Sequence, residues 1–216
     1  MAKIGVFDSG VGGLSVANAI KKALPGHEVL LREDSANLPY GTKTPEQLYS
    51  LALPILGQMA GDGCDVIVIA CNTVTTNIIS ELRVALEIPL IGMEPMIKPA
   101  AKQTNTGVIA VYATPATLRS KRYAWLKAEY AAGIEVIEPD VSDWAQMIES
   151  DSIYRDKVAN IIETTLQKNA DILMLGCTHY HWIEELVNEL AAGRATVIQP
   201  EGPVIKQLQA VLKQTG

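Results

Sequence analysis

Two stretches of the chain share one pattern: Asp65-Val-Ile-Val-Ile-Ala-Cys71-Asn72-Thr73 and Asp171-Ile-Leu-Met-Leu-Gly-Cys177-Thr178-His179. Each starts with an aspartate, runs through consecutive apolar residues, and ends with a small residue, a cysteine and two polar residues. A continuous apolar run of this length is typical of a strand that is buried on both faces of a parallel sheet. The repetition therefore predicts two similar halves, each with a cysteine at the carboxyl end of a buried strand.

Outward from these stretches, short apolar runs alternate with segments of helical spacing, which indicates a mostly parallel sheet. In the first half we predict strands at 3–7, 28–32, 65–70 and 90–93, with helices at 14–24, 45–61 and 75–86. In the second half we predict strands at 107–111, 135–138, 171–175 and 196–199, with helices at 117–131, 156–168, 183–192 and 203–213. Residues 94–105, which include Pro95 and Pro99, are expected to cross between the halves.

The predicted fold class is α/β, with two similar domains that are related by pseudo-twofold symmetry. Each domain is a mostly parallel sheet flanked by helices, and the active site is expected in the cleft between the two domains. We predict that residues 1–95 plus 200–216 form the domain that carries Cys71, and that residues 96–199 form the domain that carries Cys177.

The composition limits the kinds of partner that the chain can have. Of its 216 residues, 48% are hydrophobic and 19% are charged, which is typical of a globular protein. The formal net charge of −6 argues against the basic surface that nucleic-acid binding requires. No signal segment or bilayer-spanning apolar run is evident, so we expect a cytoplasmic location and no membrane partner. Three cysteines, an odd number, do not suggest a disulfide framework, and we expect free thiols.

Cys71 and Cys177 are candidates for acid/base chemistry, because two facing domains would bring their thiols together across a cleft. A thiol has an ordinary pKa of about 8.5, so it can act as a thiolate base or a thiol acid when its surroundings tune it. One such group on each side of a carbon next to a carboxylate would invert that centre. The alternative is that both are buried strand-end residues, which the repeated polar context disfavours. Cys64 precedes a strand, and we interpret it as a packing residue.

Three further motifs lie in predicted turns. The glycine-rich stretch Asp8-Ser9-Gly10-Val11-Gly12-Gly13-Leu14-Ser15 does not match a dinucleotide fingerprint, and its glycines serve either anion binding or a tight turn. Tyr40 and Gly41 lie in a turn, and the residues alone favour no ligand there. His179 is better interpreted as a partner that promotes the Cys177 thiolate than as a metal ligand, because no second Cys/His cluster completes a metal site.

These motifs together resemble those of glutamate racemases of the aspartate/glutamate racemase superfamily. The matching stretches are Phe7-Asp-Ser-Gly-Val-Gly-Gly-Leu-Ser-Val16, Asp34-Ser-Ala-Asn-Leu-Pro-Tyr-Gly41, Ala70-Cys-Asn-Thr73 and Gly176-Cys-Thr-His-Tyr180. The resemblance implies two α/β domains with a cleft between them and no pyridoxal cofactor. It also implies that the protein makes D-glutamate for the bacterial cell wall.

The same resemblance assigns roles to individual residues. It implies that Cys71 and Cys177 are the two catalytic bases, assisted by Asp8 and His179 respectively. The residues that it implies for substrate binding are Asp8, Ser9, Tyr40, Gly41, Asn72, Thr73, Thr117, Thr178 and His179. Thr117 comes from Ala113-Thr-Pro-Ala-Thr117, which looks like the family's threonine-bearing loop. The stretch before Glu149 departs from the family pattern, which leaves a catalytic role for Glu149 open.

Several alternatives remain at this point. Glutamate is the expected substrate, and aspartate, or both acidic amino acids, is the nearest alternative. A racemase of another small acid or hydantoin is a third reading. A non-catalytic amino-acid-binding or regulatory protein on the same fold is disfavoured, because both cysteines and their partners Asp8 and His179 are retained. We expect a small-molecule substrate, no metal, no cofactor, no nucleic acid and no membrane; a homodimer stays open.

Overall fold

The computed structural model describes residues 1–213, which form two four-stranded sheets flanked by helices. The first sheet contains β1 (Lys3–Asp8), β2 (Glu28–Glu33), β3 (Val66–Ile69) and β4 (Leu90–Gly92) in the order β2-β1-β3-β4. The second contains β5 (Val108–Tyr112), β6 (Glu135–Ile137), β7 (Ile172–Leu175) and β8 (Thr196–Ile198) in the order β6-β5-β7-β8. All neighbouring strands are parallel. The two sheets repeat one strand order, which confirms the predicted fold class.

Helices connect the strands in both parts of the chain. The first part contains α1 (Gly12–Ala23), α2 (Pro45–Gly61), α3 (Asn72–Ala85) and α4 (Ile97–Gln103). The second contains α5 (Pro115–Arg119), α6 (Lys121–Tyr130), α7 (Trp144–Glu149), α8 (Arg155–Leu166), α9 (Glu184–Ala191) and α10 (Glu201–Leu212). Short 3-10 helices cover Ser35–Asn37, Tyr40–Thr42 and Thr178–Ile183. None of the helices within residues 1–213 is long and apolar enough to cross a bilayer.

Three helical segments differ from the sequence-based prediction. The stretch 94–105, predicted as a crossing, contains α4. The helix predicted at 117–131 is divided, because the Ser120 side chain accepts a hydrogen bond from Tyr123 N and so caps a new helix, α6. Helix α7 was not predicted, since six residues are too few to show a helical period. Its Trp144 is fully buried and stacks on Tyr112 with ring centroids 5.4 Å apart.

The apolar faces of the first sheet determine where its helices pack. Phe7 and Ile69 belong to an apolar cluster that includes buried residues of α2 and α3. Val6 and Val68 point into a second cluster, which includes Val204 of α10. Because side chains alternate across a strand, this places α10 on the opposite side of the sheet from α2 and α3. The division of the chain into domains stays a prediction.

Candidate active site

Both cysteines lie where the sequence pattern predicts them, at the carboxyl ends of β3 and β7. Cys71 occupies the position just before α3, and Cys177 directly precedes the 3-10 helix Thr178–Ile183. They are 4% and 6% exposed, and both line a cavity of about 450 Å³. Two residues that are 106 positions apart in the sequence, on different sheets, therefore face one space.

Most of the predicted site residues line this cavity. They are Ser9, Tyr40, Gly41, Cys71, Asn72, Thr73, Cys177, Thr178 and His179. Asp8 and Thr117 are fully buried and do not line it. Instead they reach it through residues that do: Asp8 accepts a hydrogen bond from Thr178 Oγ1, and Thr117 Oγ1 lies 3.5 Å from Thr73 Oγ1.

The Cys71 thiol lies in a buried environment that opposes its ionisation. Burial raises the pKa of Cys71 to about 12, and the charge of Asp8 adds to this effect. Ser9 Oγ, 3.5 Å from Cys71 Sγ, and the backbone N–H groups of Val74 and Thr73 lower the pKa by smaller amounts. With these neighbours Cys71 is a protonated thiol at neutral pH.

Cys177 lies in a similar environment, with a histidine in place of Ser9. Burial raises its pKa well above the ordinary value, and the charges of Cys71 and Asp8 raise it further. His179 Nδ1 lies 3.7 Å from Cys177 Sγ. Because a thiolate at Cys71 raises the pKa of Cys177, the two sulfur atoms lie within electrostatic reach of each other. One thiolate and one thiol is consequently the favoured charge state once either group ionises.

Glu149, whose role the sequence left open, is brought into the site by α7. Its Oε1 lies 2.6 Å from His179 Nε2 and accepts a hydrogen bond of 2.9 Å from the backbone N–H of Val11. The side chain also lines the cavity. Glu149, His179 and Cys177 thus form a connected series. Ser142, Asp143, Ala145 and Gln146, which sequence reasoning did not single out, complete the same wall.

A group of threonine hydroxyls forms another part of the wall. Thr114 Oγ1 lies 2.8 Å from Thr73 Oγ1 and 3.0 Å from Thr117 Oγ1. Thr114, not Thr117, lines the cavity. A signal for Thr114 was available, because a threonine directly before a proline at the start of a helix is a typical N-cap. A Cβ added to Gly41 would stand 2.9 Å from Thr114 Cβ, so only glycine allows the two loops to approach this closely.

Two lining residues, Asn72 and Tyr40, differ in whether their polar side-chain atoms are free to bind a ligand. Within the described residues, Asn72 Oδ1 and Nδ2 are buried and have no hydrogen-bond partner. A buried amide without partners is costly, so its donor and acceptor are suited to a polar ligand in the cavity. Tyr40 donates a 2.6 Å hydrogen bond to Asp34 Oδ2, and burial together with this bond raises the pKa of Tyr40. Tyr40 is therefore a neutral, fixed wall of the cavity.

The glycine-rich loop is shaped by close packing. A Cβ on Gly10 would collide with Glu149 Oε1 and stand 2.8 Å from His179 Nε2. A Cβ on Gly12 would stand 2.7 Å from His179 N. The sequence left two reasons for these glycines, anion binding or a tight turn. The geometry favours a requirement of the backbone, because a side chain at Gly10 or Gly12 would collide with neighbouring residues. The requirement comes from a turn of the second sheet that lies against the loop.

Two expectations concern groups outside the reactive pair. Cys64 is buried in the apolar cluster that contains Leu56 and Met59. It does not line the cavity. Within residues 1–213, no group of three or more His, Cys, Asp or Glu side chains is arranged to hold a metal ion. All three cysteines are free.

Comparisons with known proteins show a family to which the chain is similar over nearly its whole length. Residues 4–214 match the model of the family described as Asp/Glu/Hydantoin racemase. The chain is 37% identical over 220 residues to a glutamate racemase of Pseudomonas syringae pv. tomato, which covers 100% of this chain and 80% of that protein. It is 38% identical over 219 residues to a glutamate racemase of Ralstonia pickettii, which covers 100% of this chain and 78% of that protein.

Solved structures give the same result. One is Escherichia coli glutamate racemase in complex with L-glutamate and the activator UDP-MurNAc-ala. It superposes with a TM-score of 0.91 at 26% sequence identity, and the match covers 98% of this chain and 82% of that chain. Glutamate racemase from Francisella tularensis, in complex with D-glutamate, superposes with a TM-score of 0.82 at 29% identity over 99% of this chain and 82% of that chain.

Proposed function

The chain belongs to the Asp/Glu/hydantoin racemase family, and we propose that it interconverts L-glutamate and D-glutamate through proton transfer by Cys71 and Cys177. The observation that carries the proposal is that two thiols from different sheets line one cavity. Glutamate as the substrate is supported by the names of the relatives and by the ligands of the two solved structures.

The polar lining suits an amino acid with two carboxylates. Among the described lining residues there is no lysine or arginine, so carboxylates would be held by neutral donors. The hydroxyls of Ser9, Thr73 and Thr114 and the free amide of Asn72 supply such donors. The N-terminus of α3, a helix of 14 residues, adds the positive end of its dipole next to Cys71.

The reaction requires one base and one acid on opposite faces of the α carbon. In the proposed mechanism one cysteine, as a thiolate, removes the α proton, and the other, as a thiol, donates a proton to the other face. The charge of a Cys71 thiolate raises the pKa of Cys177, which favours this mixed state. The substrate ammonium, a positive charge entering the cavity, would lower the raised pKa of the thiols and so make the thiolate accessible. By family resemblance, Cys71 acts on D-glutamate and Cys177 on L-glutamate.

Asp8 and the Glu149–His179 pair have supporting roles in this proposal. Asp8 accepts the Ser9 backbone N–H at 2.8 Å and the Thr178 hydroxyl at 2.8 Å, which orients a residue beside each thiol. Glu149 contacts the His179 ring at Nε2, and Nδ1 of the same ring faces Cys177. His179 is then placed to exchange a proton with the Cys177 sulfur.

The direct test is incubation with single enantiomers of glutamate and of aspartate in deuterated water, with a chelator present and without added pyridoxal phosphate. We expect each glutamate enantiomer to lose optical activity and to take up deuterium at the α carbon, and glutamate to have the higher kcat/KM. If glutamate undergoes neither inversion nor deuterium exchange, the proposal is refuted. A higher kcat/KM for aspartate would identify aspartate as the substrate of the same mechanism.

A wider role follows from the same proposal. D-Glutamate produced in this way would supply peptidoglycan synthesis in a bacterial cell, and the enzyme would act in the cytoplasm. A homodimer remains a prediction from the sequence.

A further inference from the structure

We propose that Trp182 and the backbone of Val11 form a latch that holds Glu149 against His179, which makes Trp182 a positioning residue for the Cys177 side of the reaction. The latch is defined as the hydrogen bonds Trp182–Val11 and Val11–Glu149. The inference rests on the proposed racemase function, and adds to it a residue outside the cavity that acts on one of the two thiols.

A continuous series of contacts leads from the surface to the thiol. Trp182 Nε1 donates a 3.1 Å hydrogen bond to the carbonyl oxygen of Val11. The N–H of Val11 donates to Glu149 Oε1 at 2.9 Å, and the same oxygen lies 2.6 Å from His179 Nε2. His179 Nδ1 lies 3.7 Å from Cys177 Sγ.

The position of Val11 between two glycines shows what the latch adds to this loop. Val11 lies between Gly10 and Gly12, and glycine leaves the backbone more conformational freedom than any other residue. Neither glycine can be replaced to stiffen the loop, because a Cβ at either position would meet Glu149, His179 or Thr178. The Val11 carbonyl oxygen already accepts the Leu14 N–H at 3.2 Å, as the N-cap residue of α1, and the indole N–H of Trp182 adds a second bond to the same oxygen from outside the loop. Together the two bonds fix the direction of the Val11 N–H toward Glu149.

The partial exposure of Trp182 indicates that its indole N–H contributes to its role at this position. The side chain is 48% exposed, so apolar burial accounts for only part of its presence at this place. Its indole N–H, in contrast, has a defined acceptor on the glycine-rich loop. Trp125, which is 44% exposed, makes ring contacts with Tyr130 and Arg122 on α6, away from the cavity lining. Trp125 is thus a matched control, with the same side chain and a similar exposure.

Loss of the indole N–H should leave the loop in contact with its neighbours. The Thr178 hydroxyl still donates to Asp8, and His181 Nδ1 still lies 3.4 Å from Ser15 Oγ. Trp182→Phe therefore removes one hydrogen bond without removing the packing of the loop on the 3-10 helix Thr178–Ile183. Glu149 would then hold His179 less firmly, whereas Ser9 and Asp8 beside Cys71 would keep their contacts.

The first test does not depend on activity. The ring-nitrogen resonances of His179 are recorded by NMR in the wild type, in Trp182→Phe and in Trp125→Phe, with His27→Gln and His181→Gln used for assignment. We expect the Nε2 resonance, which reports the hydrogen bond to Glu149, to move in Trp182→Phe and to stay in Trp125→Phe. An unchanged resonance in a folded Trp182→Phe protein would overturn the latch.

The second test separates the two faces of the substrate. We expect kcat for Trp182→Phe to fall about fivefold, the usual effect of one lost hydrogen bond. Because proton transfer at Cys177 becomes the slower step, the primary isotope effect should rise with α-deuterated L-glutamate and fall with α-deuterated D-glutamate. Isotope effects that change equally in both directions, or a kcat equal to that of Trp125→Phe, would overturn the latch. If the wild-type protein inverts neither enantiomer of glutamate, the proposed function is refuted. The NMR test does not depend on activity and still decides whether the latch exists.

Discussion

Thr178 Oγ1 donates a 2.8 Å hydrogen bond to Asp8 Oδ2, which joins the turn after β7 to the end of β1. Asp8 also accepts the backbone N–H of Ser9, the residue whose hydroxyl lies beside Cys71. The negative charge of Asp8 raises the pKa of both Cys71 and Cys177. One buried carboxylate therefore influences the two thiols together, and several consequences of this arrangement are open to measurement.

Asp8→Asn should increase the stability of the folded protein at neutral pH. Burial raises the pKa of Asp8 above its ordinary value of 3.8, against the opposing effects of His179, Thr178 and Ser9. A carboxyl whose pKa is raised on folding destabilises the fold when ionised. The cost is fully present above the folded-state pKa and is absent below the unfolded-state pKa. Tm of Asp8→Asn should exceed that of the wild type at pH 7.5, and the difference should shrink as the pH falls toward 4.

The control for this measurement is Glu135→Gln, at an exposed strand residue, which should change Tm little at either pH. A lower Tm for Asp8→Asn at pH 7.5 would contradict the prediction and show that the accepted hydrogen bonds outweigh the cost of burying the charge.

Alkylation of Cys71 should be slow at neutral pH and should keep accelerating with pH. Iodoacetamide reacts with the thiolate, and the pKa of Cys71 is raised to about 12 by burial and by Asp8. In a Cys64→Ala/Cys177→Ala protein, the rate should rise about tenfold per pH unit from pH 7 to 10 without levelling off. Adding Asp8→Asn should accelerate the reaction at each pH. A plateau below pH 9 would argue against the raised pKa.

Each reactive cysteine should be required for inversion in both directions. Cys71→Ala and Cys177→Ala should each lower racemisation by at least about 10³-fold, within the range for loss of a general acid or base. The surviving thiolate can still exchange the α proton on its own face, so Cys177→Ala should exchange deuterium into D-glutamate and Cys71→Ala into L-glutamate, with retention.

Cys64→Ala is the matched control, because this third buried thiol lies outside the cavity. It should keep its turnover and lose on the order of 1 kcal/mol of stability at most. Near-normal racemisation by a folded Cys71→Ala or Cys177→Ala protein would require a one-base mechanism instead.

The same substitution of glycine by alanine should have opposite effects at Gly10 and Gly57. At Gly10 the new methyl group meets Glu149 and His179, so Gly10→Ala should lower stability by about 1–3 kcal/mol and reduce kcat by an order of magnitude or more. At Gly57, inside α2, a Cβ meets nothing within 4 Å, so Gly57→Ala should raise stability by up to about 1 kcal/mol. Urea unfolding and racemase assays would measure both, and unimpaired activity of Gly10→Ala would be inconsistent with the observed packing.

Two neighbouring threonines should differ in their effect on substrate binding. Thr114 lines the cavity, whereas Thr117 lies behind it and is fully buried. Thr114→Val should raise KM for glutamate about tenfold through the loss of a hydrogen bond to a charged group, and Thr117→Val should raise it less than threefold. Thr114→Ser, which keeps the hydroxyl and the cap of α5, should restore most of the binding. Equal KM values for Thr114→Val and the wild type would remove Thr114 from the substrate site.

The local sequence pattern was sufficient to predict the buried strands and the residues at their ends. The continuous apolar runs before Cys71 and Cys177 predict buried parallel strands, and in parallel sheets the carboxyl ends of strands meet at one edge. The sequence therefore placed both thiols at strand ends. The short helix α7 escaped prediction, since six residues are too few to show a helical period, and its Trp144 stacks on Tyr112, a residue distant in the sequence.

By itself the sequence determined the α/β fold with two similar and mostly parallel halves, and the two cysteines as the candidate bases. Only the tertiary structure decided that Glu149 holds His179, that Val11, 138 positions from Glu149, donates to the same oxygen, and that the glycines of the first loop make room for both. The physical reason is that the spacing of apolar residues along the chain indicates which residues of a strand or helix are buried. A hydrogen bond between distant residues, in contrast, exists only after the sheets and helices have packed.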